Sequence, residues 1–392
     1  MKSICIVTST RADYGILTPL IRLCHQSRDV ELRLVVTGTH LSDRFGRTEQ
    51  EILHDGFPID ARIPILEDSD SSAAMARAMA RMLEQFSAYL EHRRPDLAVV
   101  LGDRYEIFAA AAALVSARIP IAHLHGGELT EGAIDDCFRH SITKMSYLHF
   151  ASTEEYRQRI IRMGEAPERV FAYGALGVEN ACKVPPLSRE ELSASVGFDF
   201  DQPFAIATFH PVTLEPEGVK QQCEAVFHAM ARYEGQLTYL VTKSNADAGG
   251  QWINDWIDSF VAAHADRFTA VTSLGMRRYL SALRYASAVI GNSSSGIIEV
   301  PSFHIPTVNI GDRQRGRTQA ATVINCPAEE NAVLEAIRLS QQPETAAHCL
   351  AAKNPYEGQD TAQHIFSKLL ETLERGPVDL KKKFYEGEIP AL

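Results

Sequence analysis

The chain has 392 residues, 45% of them hydrophobic and 23% charged, with a formal net charge of −11, the make-up of a soluble globular protein too long for a single hydrophobic core. The acidic balance excludes general affinity for nucleic acid or anionic membrane, while leaving room for local basic clusters that hold a phosphate. Seven scattered cysteines without a CxxC pair fit reduced thiols and lack a zinc signature, and no apolar run has signal-peptide or membrane-spanning length, so a cytoplasmic location is expected.

Short β-branched runs at residues 3–7, 32–37, 97–101, 119–123 and 148–151, each followed by a polar turn and a helical pattern, predict a doubly wound parallel sheet. The helix at 73–91 carries Met75, Met79, Met82, Leu83, Phe86 and Leu90 on one stripe, suited to packing on the core or on a second copy of the chain. A second series of strands at 204–208, 237–241, 268–271, 288–290 and 307–310 predicts another sheet, and a helix at 361–374 ends the fold. The seam falls in the proline-containing stretch 173–188. The expected division is 1–175, 176–375 and a tail, 376–392, free to pack back on the first domain.

Five polar clusters fall where these strands end, which is where open α/β sheets bind ligands. Residues 8–15 (TSTRADYG) open a helix whose N–H groups suit an anion, with Arg11 adding charge; they also read as a plain Ser/Thr/Asp cap with a surface arginine. Neither GxGxxG nor GxxxxGK[ST] occurs, so a dinucleotide fingerprint and a P-loop are excluded. Residues 102–106 (GDRYE) set Asp103, Arg104 and Glu106 at a strand end, either as a structural Asp103–Arg104 pair or as part of a site. The next strand runs into residues 123–144 (HLHGGELTEGAIDDCFRHSITK), with three histidines and four carboxylates. Helical spacing from Ala133 puts Asp136, Arg139, His140 and Thr143 on a polar arc, and Gly126-Gly127 lets backbone approach a ligand that Glu128 would flank. His-x-His without a third ligand in register argues against a metal; structural histidines are the other reading. In the second series His210 suits a group that steadies a leaving phosphate, although a lone histidine there is as readily structural. Ser244-Asn-Ala-Asp247 offers amide and carboxylate groups to hydroxyls. Residues 291–296 (GNSSSG) present hydroxyls and N–H groups to a phosphate, with Glu299 one turn on for ribose. Arg313, Arg315 and Arg317 can balance a diphosphate.

An acid-and-base set in the first domain and a diphosphate set in the second imply two Rossmann-like domains of glycosyltransferase B-type architecture, with the active site in the interdomain cleft. The segments RADYG, GDRYE, HLHGGE, IDDCFRHSITKMSYLH, STEEY, FHPVT, SNADAG, GNSSSGIIEVPS and NIGDRQRGR, in this order over roughly residues 3–375, resemble the hydrolysing UDP-N-acetylglucosamine 2-epimerases of sialic acid biosynthesis. The resemblance implies conversion of UDP-N-acetylglucosamine and water to N-acetylmannosamine and UDP through a 2-acetamidoglucal, without metal or other cofactor. It implies Asp103 and Asp136 for the proton transfers, with Glu128 nearby and Glu128 and Arg139 at the sugar. His210, Arg11 and Arg313 would stabilise the departing diphosphate, and Asp13, Arg104, Asn245, Ser293, Ser294, Ser295, Gly296 and Glu299 would complete the UDP site. Many relatives have a catalytic Glu where this chain has His125, so the C2 base falls to His125 or to Asp103 alone. Some relatives act instead on UDP-2,4-diacetamido-2,4,6-trideoxyglucose. A glycosyltransferase, a non-hydrolysing epimerase and a non-catalytic nucleotide-sugar sensor are further readings. A homodimer or higher homo-oligomer is expected.

Overall fold

The apolar runs fold into two parallel sheets. The computed structural model describes the chain except residues 70, 213, 215–216, 245–248 and 388–392. The chain divides into two units, the first made of Met1–Glu128, Asp135–Glu179 and the described residues from Gly358 onward, the second of Leu129–Ile134 and Asn180–Glu357.

The first unit holds strands β1 (Lys2–Thr8), β2 (Val30–Thr37), β3 (Ala61–Ile63), β4 (Leu97–Leu101), β5 (Ile121–Leu124), β6 (Leu148–Ala151) and β7 (Val170–Ala172), in the order β3-β2-β1-β4-β5-β6-β7. Every pairing is parallel. All five residues of β4 are buried, as a strand covered on both faces by helices requires. From β1 the chain winds outward through β2 to β3 and then returns to β4 on the other side, so the carboxyl ends of β1 and β4 form the switch point where such sheets open a crevice. The Ser72–His92 helix buries Ala74, Ala78, Met82, Phe86 and Leu90; Leu83, expected on that stripe, is 41% exposed.

The second unit holds β8 (Phe204–Thr208), β9 (Thr238–Thr242), β10 (Phe268–Val271), β11 (Ala288–Gly291), β12 (Thr307–Ile310) and β13 (Val323–Cys326), in the order β10-β9-β8-β11-β12-β13. Its switch point lies between β8 and β11. Gly291, the last residue of β11, has φ of 136°, and a Cβ there would lie 1.8 Å from the Thr208 carbonyl oxygen, so only glycine lets the chain leave β11 beside β8.

Three features depart from expectation. Residues 129–134, expected in the first domain, group with the second unit, the Glu131 N–H donating to the Arg315 carbonyl at 3.1 Å. Strands β3, β7 and β13 extend the sheets beyond the ten runs read from the sequence. The Thr361–Glu374 helix belongs with the first unit, its Ile365, Phe366, Leu369 and Leu373 joining the core built on β1, β2 and the Arg11–Gln26 helix. Thr361 Oγ1 donates to the Tyr173 carbonyl at 2.7 Å, and the Ala362 N–H donates to Glu179 at 2.7 Å.

The described part of the tail, through Lys382, packs on the first unit. Lys382 Nζ donates to the Lys144 and Ser146 carbonyls at 2.9 and 2.6 Å and to both oxygens of buried Glu165 at 2.9–3.0 Å. Burial opposes ionisation of Glu165, but hydrogen bonds from His149, Lys144 and Lys382 outweigh it and hold the carboxyl at about 2 instead of 4.5. Because the folded value is depressed, the stabilisation is complete above about pH 4.5 and is lost as pH falls toward 2. Through this group alone the protein should lose roughly 3 kcal/mol across that interval. Thermal melts of Glu165→Gln recorded over the same pH range should lack that part of the acid limb.

Candidate functional site

The strands bring the first unit's acids and bases together by register. On neighbouring β4 and β5, Val100 pairs with His123 and Leu101 with Leu124, so the turns beginning at Gly102 and His125 leave the sheet side by side. Between them lies the guanidinium of Arg139, 1% exposed, from the Asp135–Met145 helix. It donates to Asp103, to Asp136 Oδ1 at 2.9 Å and to the Glu128 carbonyl at 3.1 Å. A buried guanidinium is tolerated only when its donors are satisfied, and here two carboxylates and a carbonyl share the task. Asp136 Oδ2 lies 3.4 Å from His140 Nε2.

Beside this group, His125 Nδ1 lies 3.0 Å from Glu128 Oε1, and Glu128 is itself buried. Ser152 Oγ donates to the same carboxylate oxygen at 2.8 Å. The turn between them depends on Gly127, at φ of 76°, where a Cβ would come within 2.6 Å of the Tyr156 carbonyl oxygen. His123 has a different environment. Burial in the sheet depresses its pKa to about 3, keeping the ring neutral, and its Nε2 donates to the Gly102 carbonyl at 2.7 Å. It braces the loop that carries Asp103.

The first loop turns its groups onto its own chain. Asp13 accepts from the Ser9 and Thr10 N–H groups at 3.0 Å and from Ser9 Oγ at 2.8 Å, and forms a capping box with Thr10. Burial works against its charge, but His40, Thr8 and Ser9 hold the carboxyl below its usual range. Arg11 makes a two-pronged pair with Glu51. Arg104 pairs with buried Glu106 at 2.6 Å, while Asp103 is taken by Arg139.

In the second unit the organising residue is Asn292, wholly buried. Its side chain accepts from the His210 N–H at 2.7 Å and donates to the His210 carbonyl at 2.8 Å, which fixes the backbone of the strand-end histidine in both directions. Its own carbonyl accepts from Gln314 Nε2 at 2.9 Å and from Arg313 at 3.2 Å, so the GNSSSG and GDRQRGR turns are tied together. His210 Nδ1 lies 3.2 Å from Ser244 Oγ. Ser293, Ser294 and Ser295 are half-buried; Ser295 shares a hydrogen bond with the Tyr279 hydroxyl at 2.8 Å. Gly296 and Glu299 are buried, Glu299 donating its N–H to the Ser295 carbonyl at 3.0 Å. Arg315 points away, 66% exposed, toward Glu131 and Asp312.

Thus Asp103, Asp136, Glu128, His125 and Arg139 cluster in the first unit, and His210, Arg313 and the serine turn in the second. Arg11, Asp13 and Arg104 are engaged by partners in their own unit. Asn245 lies outside the described residues. Asn292 and Gln314 were not singled out, although both sit inside the quoted motifs: a buried amide beside a phosphate-type turn was the available signal. Among the described residues no group of three His, Cys, Asp or Glu is placed to hold a metal ion, and no helix is long and apolar enough to cross a membrane.

Comparison with known proteins agrees with the motif resemblance. A family model described as UDP-N-acetylglucosamine 2-epimerase matches residues 22–370. Polysialic acid biosynthesis protein P7 of Escherichia coli is 38% identical over 356 residues, covering 91% of this chain and 90% of that protein. The GDP/UDP-N,N'-diacetylbacillosamine 2-epimerase (hydrolyzing) of Campylobacter jejuni is 37% identical over 324 residues, covering 83% and 84%. In fold, the UDP-GlcNAc 2-epimerase of Neisseria meningitidis, solved bound to UDP-GlcNAc, matches with a TM-score of 0.79 at 17% identity over 95% of this chain and all of that one. With about nine-tenths of its length matched by the family model and with relatives 37–38% identical over more than four-fifths of it, the chain belongs to the UDP-N-acetylglucosamine 2-epimerase family of enzymes.

Proposed function

We propose that this enzyme is a hydrolysing UDP-sugar 2-epimerase that converts UDP-N-acetylglucosamine and water to N-acetylmannosamine and UDP. A base removes the C2 proton, the C–H electron pair forms the C1–C2 double bond, and the bond from C1 to the diphosphate oxygen breaks, giving 2-acetamidoglucal and UDP. Water then adds its oxygen to C1, and a proton reaches C2 from the opposite face. The first half demands a base near C2 and charge stabilisation at the leaving oxygen; the second demands an acid on the other side. The observation that carries the reading is the pair Asp103 and Asp136 held at fixed separation by one buried arginine, with His125 and Glu128 alongside. In the second unit, His210 and Arg313, both bonded to Asn292, are the groups we assign to the diphosphate, and the serine turn and Glu299 to the rest of UDP. We assign Asp13 to shaping its loop and Arg139 to orienting the carboxylates.

A second reading keeps the reaction and changes the sugar. The Campylobacter relative is named for the diacetylbacillosamine nucleotide, so UDP-2,4-diacetamido-2,4,6-trideoxyglucose is the alternative substrate. Incubating the protein with each UDP-sugar in deuterated water distinguishes them: the true substrate releases UDP and a free sugar carrying one deuterium at C2. A product that keeps its UDP would refute hydrolysis.

Asp103→Asn should lower kcat by about 10³-fold or more, the scale of a lost proton-transfer group, while calorimetric affinity for UDP changes less than about 3-fold. Near-normal turnover would remove Asp103 from the chemistry. Asn292→Ala should act on the other half, weakening UDP binding by roughly 10-fold or more, because each of its paired hydrogen bonds to His210 is worth about 1 kcal/mol; unchanged UDP affinity would show that the Asn292 scaffold does not serve the nucleotide.

A further inference from the structure

His125 is built unlike the histidines around it. Its backbone has φ of 64°, a left-handed conformation that is unfavourable for a residue with a side chain and that persists where the surroundings impose it, commonly at functional sites. The imposing contacts are visible: its N–H donates to the Phe150 carbonyl on β6 at 3.0 Å, and Nδ1 meets Glu128. Glu128 is held in turn by Ser152 on the other side. A carboxylate can only accept, so the proton of a neutral imidazole sits on Nδ1 and the lone pair on Nε2. Nε2 is buried and has no hydrogen-bond partner among the described residues. A buried acceptor left unmatched is costly and calls for an explanation.

The other histidines of the segment do not share this arrangement. His123 is engaged through Nε2 by a backbone carbonyl inside the sheet; His140 also has a buried unmatched nitrogen, Nδ1, but its other nitrogen makes only a longer, 3.4 Å contact to Asp136 and a quarter of its side chain is exposed. His149 also has an unmatched ring nitrogen, but it lies within the sheet, next to His123 in register, and faces the Glu165 cluster.

We propose that His125 is the catalytic base and that Glu128 is its positioning residue, a carboxylate that fixes the tautomer and aims Nε2 at the sugar's C2 hydrogen. The assignment rests on the epimerase reading above and deepens it. In the step, Nε2 takes the C2 proton, the C–H electrons become the C1–C2 double bond, and the diphosphate leaves C1 with the electrons of its bond. The resulting imidazolium is stabilised by the Glu128 charge 3.0 Å from Nδ1, the service that a buried carboxylate gives a histidine base in acyl-transfer enzymes. Asp103 and Asp136, tied to Arg139, are then left for the opposite face and the leaving oxygen.

The test uses whichever UDP-sugar the wild-type enzyme turns over. His125→Asn keeps an N–H for Glu128 but has no second ring nitrogen; it should lose about 10³-fold or more in kcat and in C2–deuterium exchange, with UDP affinity within about 3-fold of wild type. His125→Gly suits the left-handed backbone and opens a space in which added imidazole should restore part of the turnover. His125→Glu restores a proton acceptor at the position and should retain more turnover than the Asn variant, although the neighbouring Glu128 charge disfavours its ionised form. Glu128→Gln should lower kcat by roughly 10²-fold with little change in KM, the pattern of a misdirected base. Wild-type turnover in His125→Asn, or turnover in His125→Glu no higher than in His125→Asn, overturns the assignment. Failure of the wild-type enzyme to release UDP from either sugar would instead sink the epimerase reading, and the base assignment with it.

Discussion

One buried guanidinium decides the geometry of the first unit. Taking an arginine out of water costs several kcal/mol unless its donors are matched, and removing one partner from such a group is far more damaging than never having built it. Arg139 meets that demand with Asp103 from the turn after β4, Asp136 from its own helix one turn back, and the Glu128 carbonyl from the turn after β5. Three separate segments are therefore constrained by one charge. Two carboxylates this close would repel each other, and the arginine between them makes their approach favourable.

The sheet supplies what the arginine cannot. Pairing of β4 with β5 brings the Gly102 and His125 turns level, and parallel topology places both at the carboxyl ends, where helix starts and loops supply hydrogen-bond donors. Behind them, burial keeps His123 neutral, so its bond to the Gly102 carbonyl does not switch on and off near neutrality. Further back, Lys382 from the tail donates to the carbonyls of Lys144 and Ser146, placing a cation at the carboxyl end of the helix that presents Asp136 and Arg139, where the helix dipole favours it.

Much of this was legible from residues alone because it depended on local pattern. The apolar run of β4 and its polar exit needed no tertiary information, and the GNSSSG stretch announced hydroxyls and N–H groups at a helix start after β11. What was hidden depended on distant partners. Glu51 engages Arg11 from forty residues away, and no local feature of the first loop announces it. Strands β3 and β7 have three residues each, too few for alternation to declare itself, and β13 is an edge of four. The apolar stripe of the Thr361–Glu374 helix shows that it needs a core without showing which. Asp103 and Arg139 are thirty-six positions apart, so the central contact of the site was readable only as two candidates, not as a pair.

The second unit solves a different problem with a different hub. A diphosphate keeps its charge throughout the proposed reaction, so the protein needs fixed donors there instead of groups that exchange protons. A neutral amide suits that role: Asn292 both donates to and accepts from the His210 backbone while its carbonyl gathers Arg313 and Gln314. An aspartate of nearly the same shape would lose the donor and set a negative charge where the proposed function places the diphosphate. Gly291 completes the device, since a side chain there would collide with the Thr208 carbonyl and push the Asn292 turn away from β8. In the proposed reaction, charge at the hub assigned to proton transfer and neutrality at the hub assigned to the diphosphate correspond to the two halves of one elimination.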